Sequence, residues 1–242
     1  MRRLGSDPSR RLGELAARYG LAEGVAATLG RLLAVVAGDE AAPTTVREPE
    51  EAVDVHVADS LTGLELEVVR EARVIADLGA GAGFPGLVLA AALPEARVFL
   101  VESVGKKCAF IARAAERAGM GNVEVVNARA EEWPAGIGAT DVVTARALAP
   151  LGVLVEYAAP LLRPAGSLVA WKGARAADEE ATAVAAAREV GLEAGQIVPV
   201  RPWAAVEQRH LYVYSKVSET PPRFPRRAGM ARKRPLGGST GG

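Results

Sequence analysis

The stretch Arg73 to Gly86, Arg-Val-Ile-Ala-Asp-Leu-Gly-Ala-Gly-Ala-Gly-Phe-Pro-Gly, constrains the fold more than any other part of the chain. Val74, Ile75 and Leu78 are branched apolar residues, as expected of a strand buried on both faces. Asp77 falls where that strand should end. Gly79, Gly81 and Gly83 then alternate with Ala80 and Ala82, a turn that can take positive φ and let a ligand approach the backbone. The apolar run Leu87 to Leu93 reads as a helix. Strand, glycine turn and helix together predict the nucleotide-binding corner of a doubly wound α/β sheet.

Two cofactors suit that corner. Gly81, Gly83 and Gly86 satisfy G-x-G-x-x-G, the dinucleotide fingerprint, which points to NAD. Asp77-Leu78-Gly79-Ala80-Gly81-Ala82-Gly83 also resembles the D-x-G-x-G-x-G motif of S-adenosylmethionine (AdoMet) methyltransferases. That resemblance places the acid near the cationic methionine part and packs the glycine backbone against the cofactor. The turn alone leaves both open.

The remainder of the chain narrows the choice. Asp7-Pro8 predicts an N-cap and first helical residue. Leu12, Leu15, Ala16 and Tyr19 follow at helical spacing, and Val25, Leu29, Leu32, Leu33 and Val36 form a second apolar face. Pro49 opens a third helix with Val53, Val57, Leu61 and Leu64 inward. Residues 1–70 therefore read as a helical cap, and residues 71–220 as the sheet domain. Strands are expected at Val74–Leu78, Arg97–Glu102, Val123–Val126, Asp141–Thr144 and Ser167–Trp171. Helices are expected at Lys106–Ala118, Leu151–Leu162 and Ala176–Val190. This alternation argues for a mostly parallel sheet. Ile197–Val200 and Leu211–Val217 have no helix between them and should pair antiparallel. A seven-stranded, mostly parallel sheet ending in an antiparallel strand suits a class I methyltransferase better than a dehydrogenase, which continues into a substrate domain.

Composition adds limits and one contrast. Cys108 is the only cysteine, so neither an intrachain disulfide nor a cysteine-rich metal site is expected, in keeping with a reducing cytoplasm. Met1-Arg2-Arg3 is followed by Gly5-Ser6-Asp7-Pro8 and not by an apolar stretch, so no signal peptide is expected. The apolar runs are too short to span a bilayer. The formal net charge is zero, yet residues 221–242 hold Arg223, Arg226, Arg227, Arg232, Lys233 and Arg234 and no acid. With those six set aside, 23 bases face 29 acids. An acidic body with a basic, flexible tail predicts a polyanionic partner held by the tail, with the cofactor site left alone.

Glu102 ends the second strand nineteen residues after Gly83, where an acid accepts ribose hydroxyls in both candidate folds. Ser103 can add a hydrogen bond. Ala130-Glu131 follows the third strand, at the expected border of the adenine. The fourth strand ends Thr144-Ala145-Arg146-Ala147-Leu148, without the N-P-P-Y signature of amino methylation and without the cysteine that cytosine C5 chemistry needs. Guanine N7 carries an in-plane lone pair and no proton. Its methylation needs alignment and exclusion of water and no general base. Arg146 suits a positioning role there, on a phosphate, a base carbonyl or the cofactor carboxylate.

The chain is similar to the glucose-inhibited division protein B family, the bacterial small-subunit (16S) rRNA guanine-N7 methyltransferases. The motifs that carry the resemblance are Arg47-Glu48-Pro49, His56 with Asp59-Ser60, Asp77 to Gly86, Ser103 with Gly105-Lys106-Lys107, Arg129-Ala130-Glu131, Arg146-Ala147, Lys172-Gly173, Glu207 with Arg209-His210, and the tail from Phe224 to Leu236. The resemblance implies that Gly79, Phe84, Ala130, Glu131 and Arg146 contact AdoMet, beside Asp77, Gly81, Gly83, Glu102 and Ser103. It implies that His56, Lys172, Arg209 and His210 face RNA with the tail cations. It departs from the family at Ala42-Pro43 and Val55, both in the cap. The expected enzyme is a cytoplasmic, monomeric AdoMet-dependent methyltransferase acting on 16S rRNA or the assembling small subunit, with no membrane partner. An NAD-dependent oxidoreductase and a non-catalytic rRNA-binding protein on the same fold are the rival readings.

Overall fold

The computed structural model describes residues 7–237; the amino-terminal reading of Met1 to Ser6 and the last five residues lie outside it. The first helix, α1 (Pro8–Tyr19), begins as its sequence dictates: the Asp7 carboxylate accepts the Ser9 N–H at 3.0 Å. α2 (Val25–Gly38) follows and buries Leu29, Leu32 and Val36 completely or nearly so. The third predicted helix is a composite. It runs as α3 (Pro49–Ala52), widens to a π-helix over Val53–Ala58, narrows as α4 (Asp59–Leu61) and ends in a 3₁₀ turn, Thr62–Glu65. Val53, Val57, Leu61 and Leu64 all face inward as the spacing predicts. A short α5 (Glu67–Arg70), not anticipated, leads into the sheet.

The sheet elements then alternate: β1 (Val74–Leu78), α6 (Gly86–Ala92), β2 (Arg97–Glu102), α7 (Gly105–Ala118), β3 (Val123–Asn127), β4 (Thr140–Arg146), α8 (Leu151–Ala158), β5 (Leu162–Lys172), α9 (Ala177–Val190), β6 (Leu192–Pro199), β7 (His210–Lys216) and a terminal α10 (Met230–Lys233). The seven strands are ordered β3-β2-β1-β4-β5-β7-β6. All pairs are parallel except those of β7, which inserts antiparallel between β5 and β6. Strand order reverses between β1 and β4, and a crevice opens outside the carboxyl ends of strands at such a point.

Several boundaries differ from the sequence reading. The helix expected to reach Leu162 stops at Ala158, and β5 takes the residues from Leu162. Pro164 and Gly166 were expected to end the helix; they lie in a register shift of β5 instead. β7 pairs β5 only from Ser167 onward, so Pro164 forfeits no bond to it. β6 is longer than its apolar residues suggest because it is an edge strand: Glu193, Gly195 and Gln196 are exposed.

One apolar layer joins the cap to the sheet, with Leu29, Leu32, Val57 and Leu61 packed in the same cluster as Ile75, Leu100 and Trp171. Each such fully buried aliphatic side chain contributes roughly 1.5–3 kcal/mol. The opposite face packs α8 and α9 on Val143, Leu168 and Tyr214. That second layer also contains Phe224 and Ala231, which corrects the expectation of a flexible tail. Residues 221–237 fold back onto the sheet domain, because two apolar anchors and a salt bridge from Arg226 to the buried Glu156 hold them there.

Candidate active site

The glycine turn sits at the carboxyl end of β1, tied to β2 by the Gly79 and Ala80 N–H groups, which donate to Val101 O at 2.8 and 3.3 Å. Gly79 has φ +65° and Gly83 φ +91°; a Cβ at Gly79 would meet Leu148 Cδ1 at 2.5 Å, so both the backbone angle and the packing demand glycine. Glu102 ends β2 and closes the turn from the side. Its Oε2 accepts Gly81 N–H at 3.1 Å and its Oε1 accepts Val104 N–H at 2.9 Å.

A cleft of about 350 Å³ opens over these strand ends. Gly79, Glu102, Ser103, Ala130 and Glu131 line it, as the sequence predicts, together with Leu78, Val101, Ala128, Arg129, Ala147 and Leu148. The chemistry of the walls suits AdoMet. Each Glu102 oxygen holds one backbone N–H and keeps a second lone pair for a ribose hydroxyl. Leu78, Val101 and Leu148 supply apolar contact for a purine, and the volume lies within the range of small-molecule sites.

Five residues expected at the cofactor do not line this cleft. Asp77 is fully buried; its Oδ2 accepts Gly86 N–H at 3.0 Å and its Oδ1 accepts the Thr144 hydroxyl at 2.9 Å. It therefore pins the start of α6 to β4. Burial pushes its carboxyl up to about 6, against the pull of Gly86 N–H, the Thr144 hydroxyl and the Arg146 charge. Gly81 and Gly83 shape the turn from behind. Phe84 points toward the cap and stacks on His56, ring centroids 4.4 Å apart and planes 3° from parallel. Arg146 is drawn the same way: its Nη1 donates to Val55 O at 3.0 Å and to Asp59 Oδ2 at 2.8 Å.

These contacts form a second cluster along the seam between cap and sheet. Asp59 is completely buried and takes three charged donors, Arg146 and both arms of Arg209, whose Nε and Nη2 lie 2.7 and 3.0 Å from its two oxygens. A carboxylate out of water needs such partners. Two arginines on one carboxylate leave one net positive charge. His56 does not pair with Asp59 through a ring nitrogen. Its Nε2 lies 3.1 Å from Val46 O and 3.2 Å from Thr44 Oγ1. A carbonyl only accepts, so Nε2 carries the proton and the buried Nδ1, which has no partner, is a bare lone pair. Burial and the Arg146 charge push the imidazole down to about 4. His56 is therefore neutral and enclosed, which corrects its assignment to the RNA-facing cations.

Among the other residues assigned to RNA, Lys172 Nζ donates to Glu179 Oε1 at 2.6 Å, and His210 Nδ1 donates to Gly173 O at 2.8 Å. Arg223 pairs with Glu189 at 2.9 Å. Arg226 grips Glu156 with both arms, so it serves the fold before any ligand. Arg227, Lys233 and Arg234 are exposed. Arg232 is exposed as well, and its guanidinium reaches the rim of the cleft, where its Nη2 donates to Leu148 O at 2.8 Å. Sequence reasoning missed Leu148, Tyr157 and Arg232 as cleft walls and the Arg146–Asp59–Arg209 bridge. The only signal for the bridge was the spacing of His56 and Asp59 on one helical run.

Comparison with known proteins places this geometry. The family model described as GidB, rRNA small subunit methyltransferase G, matches residues 31–211. The chain belongs to this family. A ribosomal RNA small subunit methyltransferase G from Rubrobacter xylanophilus is 44% identical over 198 residues, covering 79% of this chain and 76% of that protein. The protein of the same name from Desulfitobacterium hafniense is 39% identical, covering 80% and 81%. Among solved structures, an Aquifex aeolicus SAM-dependent methyltransferase shares the fold with TM-score 0.53 at 16% identity, over 69% of this chain and 93% of that one. A 16S rRNA (adenine(1408)-N(1))-methyltransferase W203A mutant from Catenulisporales acidiphilia shares it with TM-score 0.52, also at 16% identity, over 64% and 90%. No helix among the described residues is long and apolar enough to cross a membrane.

Proposed function

We propose that this chain methylates N7 of a guanosine in 16S rRNA, with AdoMet held in the cleft over β1 to β4. The cofactor supplies an electrophilic methyl group on its sulfonium. Glu102 binds the ribose, the Ala128–Glu131 loop borders the adenine, and the backbone of Gly79 receives the methionine end. The observation that carries the reading is the adjacency of this cleft to a positive seam: Arg146 ends β4 and Ala147 and Leu148 line the cleft. The surplus charge of Arg146 and Arg209 suits a phosphate or base carbonyl. His56 is enclosed against Phe84, and Asp59 is saturated by three donors. A nucleophile that needs no proton removed suits such a seam. The dehydrogenase alternative loses support because the chain belongs to the small-subunit rRNA methyltransferase G family.

The test uses small-subunit rRNA from a strain lacking this enzyme, incubated with the protein and methyl-labelled AdoMet. Borohydride and aniline then cleave RNA at N7-methylguanosine. Label with one new cleavage site is the expected result. Label without cleavage removes the N7 assignment. Silence on naked RNA, on the assembled subunit and on partly assembled particles alike removes the catalytic reading in favour of a binding protein.

A further inference from the structure

The tail was expected to hold RNA and to leave the cofactor site alone. Its course in the structure is different. From Thr220 it crosses the outer face of α8 and α9, buries Phe224, and fixes Arg226 on Glu156, which is 3% exposed on its side chain. It then reaches the cleft. Gly229 N–H donates to Glu131 Oε1 at 2.9 Å, so the acid at the expected adenine border holds the tail backbone. Ala231 is buried, and Arg232 donates to Leu148 O, which belongs to the loop over Gly79. Arg232 also lies beside Tyr157, whose hydroxyl burial pushes up while the Arg232 charge pulls it down. Glu131, Leu148, Tyr157 and Arg232 are all walls of one cleft.

We propose that residues 224–234 are part of the cofactor site and that Arg232 is a positioning residue for AdoMet. The inference rests on the AdoMet reading of the cleft. Three tethers, at Glu156, Glu131 and Leu148, bring the segment to the rim. Its guanidinium bridges the β4–α8 loop and α8, the two elements that complete the wall opposite Glu102. Removing it frees Leu148 to swing, and Leu148 is the side chain in contact with Gly79. By linkage, a ligand that needs the docked segment must also hold it docked.

Two measurements test this on the full chain. The first is calorimetric AdoMet affinity of the native protein and Arg232→Ala. Arg232 is exposed to solvent over much of its length, so its loss spares the fold, and the expected weakening is about tenfold, that of one charge-assisted hydrogen bond. The second is trypsin cleavage, for which Arg223, Arg226, Arg227, Arg232 and Lys233 are built-in sites, Arg234 being blocked by Pro235. Saturating AdoMet is expected to slow cleavage in this segment several-fold, and to slow it less in Arg232→Ala. Equal affinity of the two proteins, or tail cleavage indifferent to AdoMet, overturns the proposal. Failure of the native protein to bind AdoMet at all overturns the cofactor reading itself, a different result.

Discussion

Replacing His56 by glutamine isolates a charge that the native fold forbids. The imidazole is 5% exposed, stacked on Phe84, and held down to about 4 from 6.5 by burial and by Arg146. At pH 7 the folded chain leaves it neutral and the unfolded chain binds about a quarter of a proton there. At pH 4.5 the unfolded chain binds a full proton there and the folded chain only about a quarter of one. Protons bound by the unfolded state lower stability as pH falls, so the loss begins near 6.5 and levels off below about 4. At 1.36 kcal/mol per pH unit, His56 removes about 2.5 kcal/mol of stability between pH 7 and pH 4.5. Glutamine keeps a donor for Val46 O and does not titrate. The loss of stacking on Phe84 is the same at every pH. Urea unfolding followed by circular dichroism should therefore show the variant less stable at pH 7, with the gap shifted by about 2.5 kcal/mol in its favour at pH 4.5. A gap that stays constant within about 0.5 kcal/mol would refute the enclosed, neutral histidine.

The other perturbations address the remaining buried charges and the cleft. Asp59→Ala leaves Arg146 and Arg209 facing each other without their carboxylate and should cost about 3–5 kcal/mol in urea unfolding; a cost below about 1 kcal/mol would mean the arginines are not dependent on it. Asp77, raised to about 6, is the reverse of His56: the folded state holds its proton longer, so stability falls as pH rises from about 4 to 6, by up to about 3 kcal/mol. Asp77→Asn should therefore steepen the rise of stability with pH in that window, and an unchanged slope would place the native pKa near its ordinary value. Glu102→Gln keeps one acceptor for the turn but loses charge toward the ribose, and AdoMet affinity by calorimetry should drop about tenfold; an unaltered affinity would remove Glu102 from the cofactor.

The readable part of this protein was its periodic part. β1 and β2 were bounded to the residue because both are apolar strands with an acid in one of their last two positions and turn chemistry beyond. The cap helices were legible from Asp7-Pro8 and from one apolar stripe. What failed to show had no local signature. The π widening at Val53–Ala58 leaves the apolar spacing intact, so the pattern could not distinguish it from an ordinary helix. The Asp59 bridge joins residues 87 and 150 positions apart. Six cations in 22 residues read as a solvated tail, because a sequence does not reveal that Arg226 meets a buried glutamate on α8. Charge was counted correctly and its partners were invisible.

Those hidden partners set the charge on both sides of the reversal between β1 and β4. On the cleft side Glu102 accepts two backbone N–H groups and Glu131 one, and Lys107, Arg129 and Arg232 line the same walls. On the seam side stand Arg146 and Arg209, sharing Asp59 and retaining one positive charge. The surplus positive charge of the seam favours a phosphate there. Phe84 is the partition: it arises from the glycine turn, stacks on His56, and lies 5.8 Å beneath the Arg146 guanidinium. An enclosed, neutral His56 is what this arrangement requires, since a protonated imidazole there would add a second uncompensated, buried charge beside Arg146.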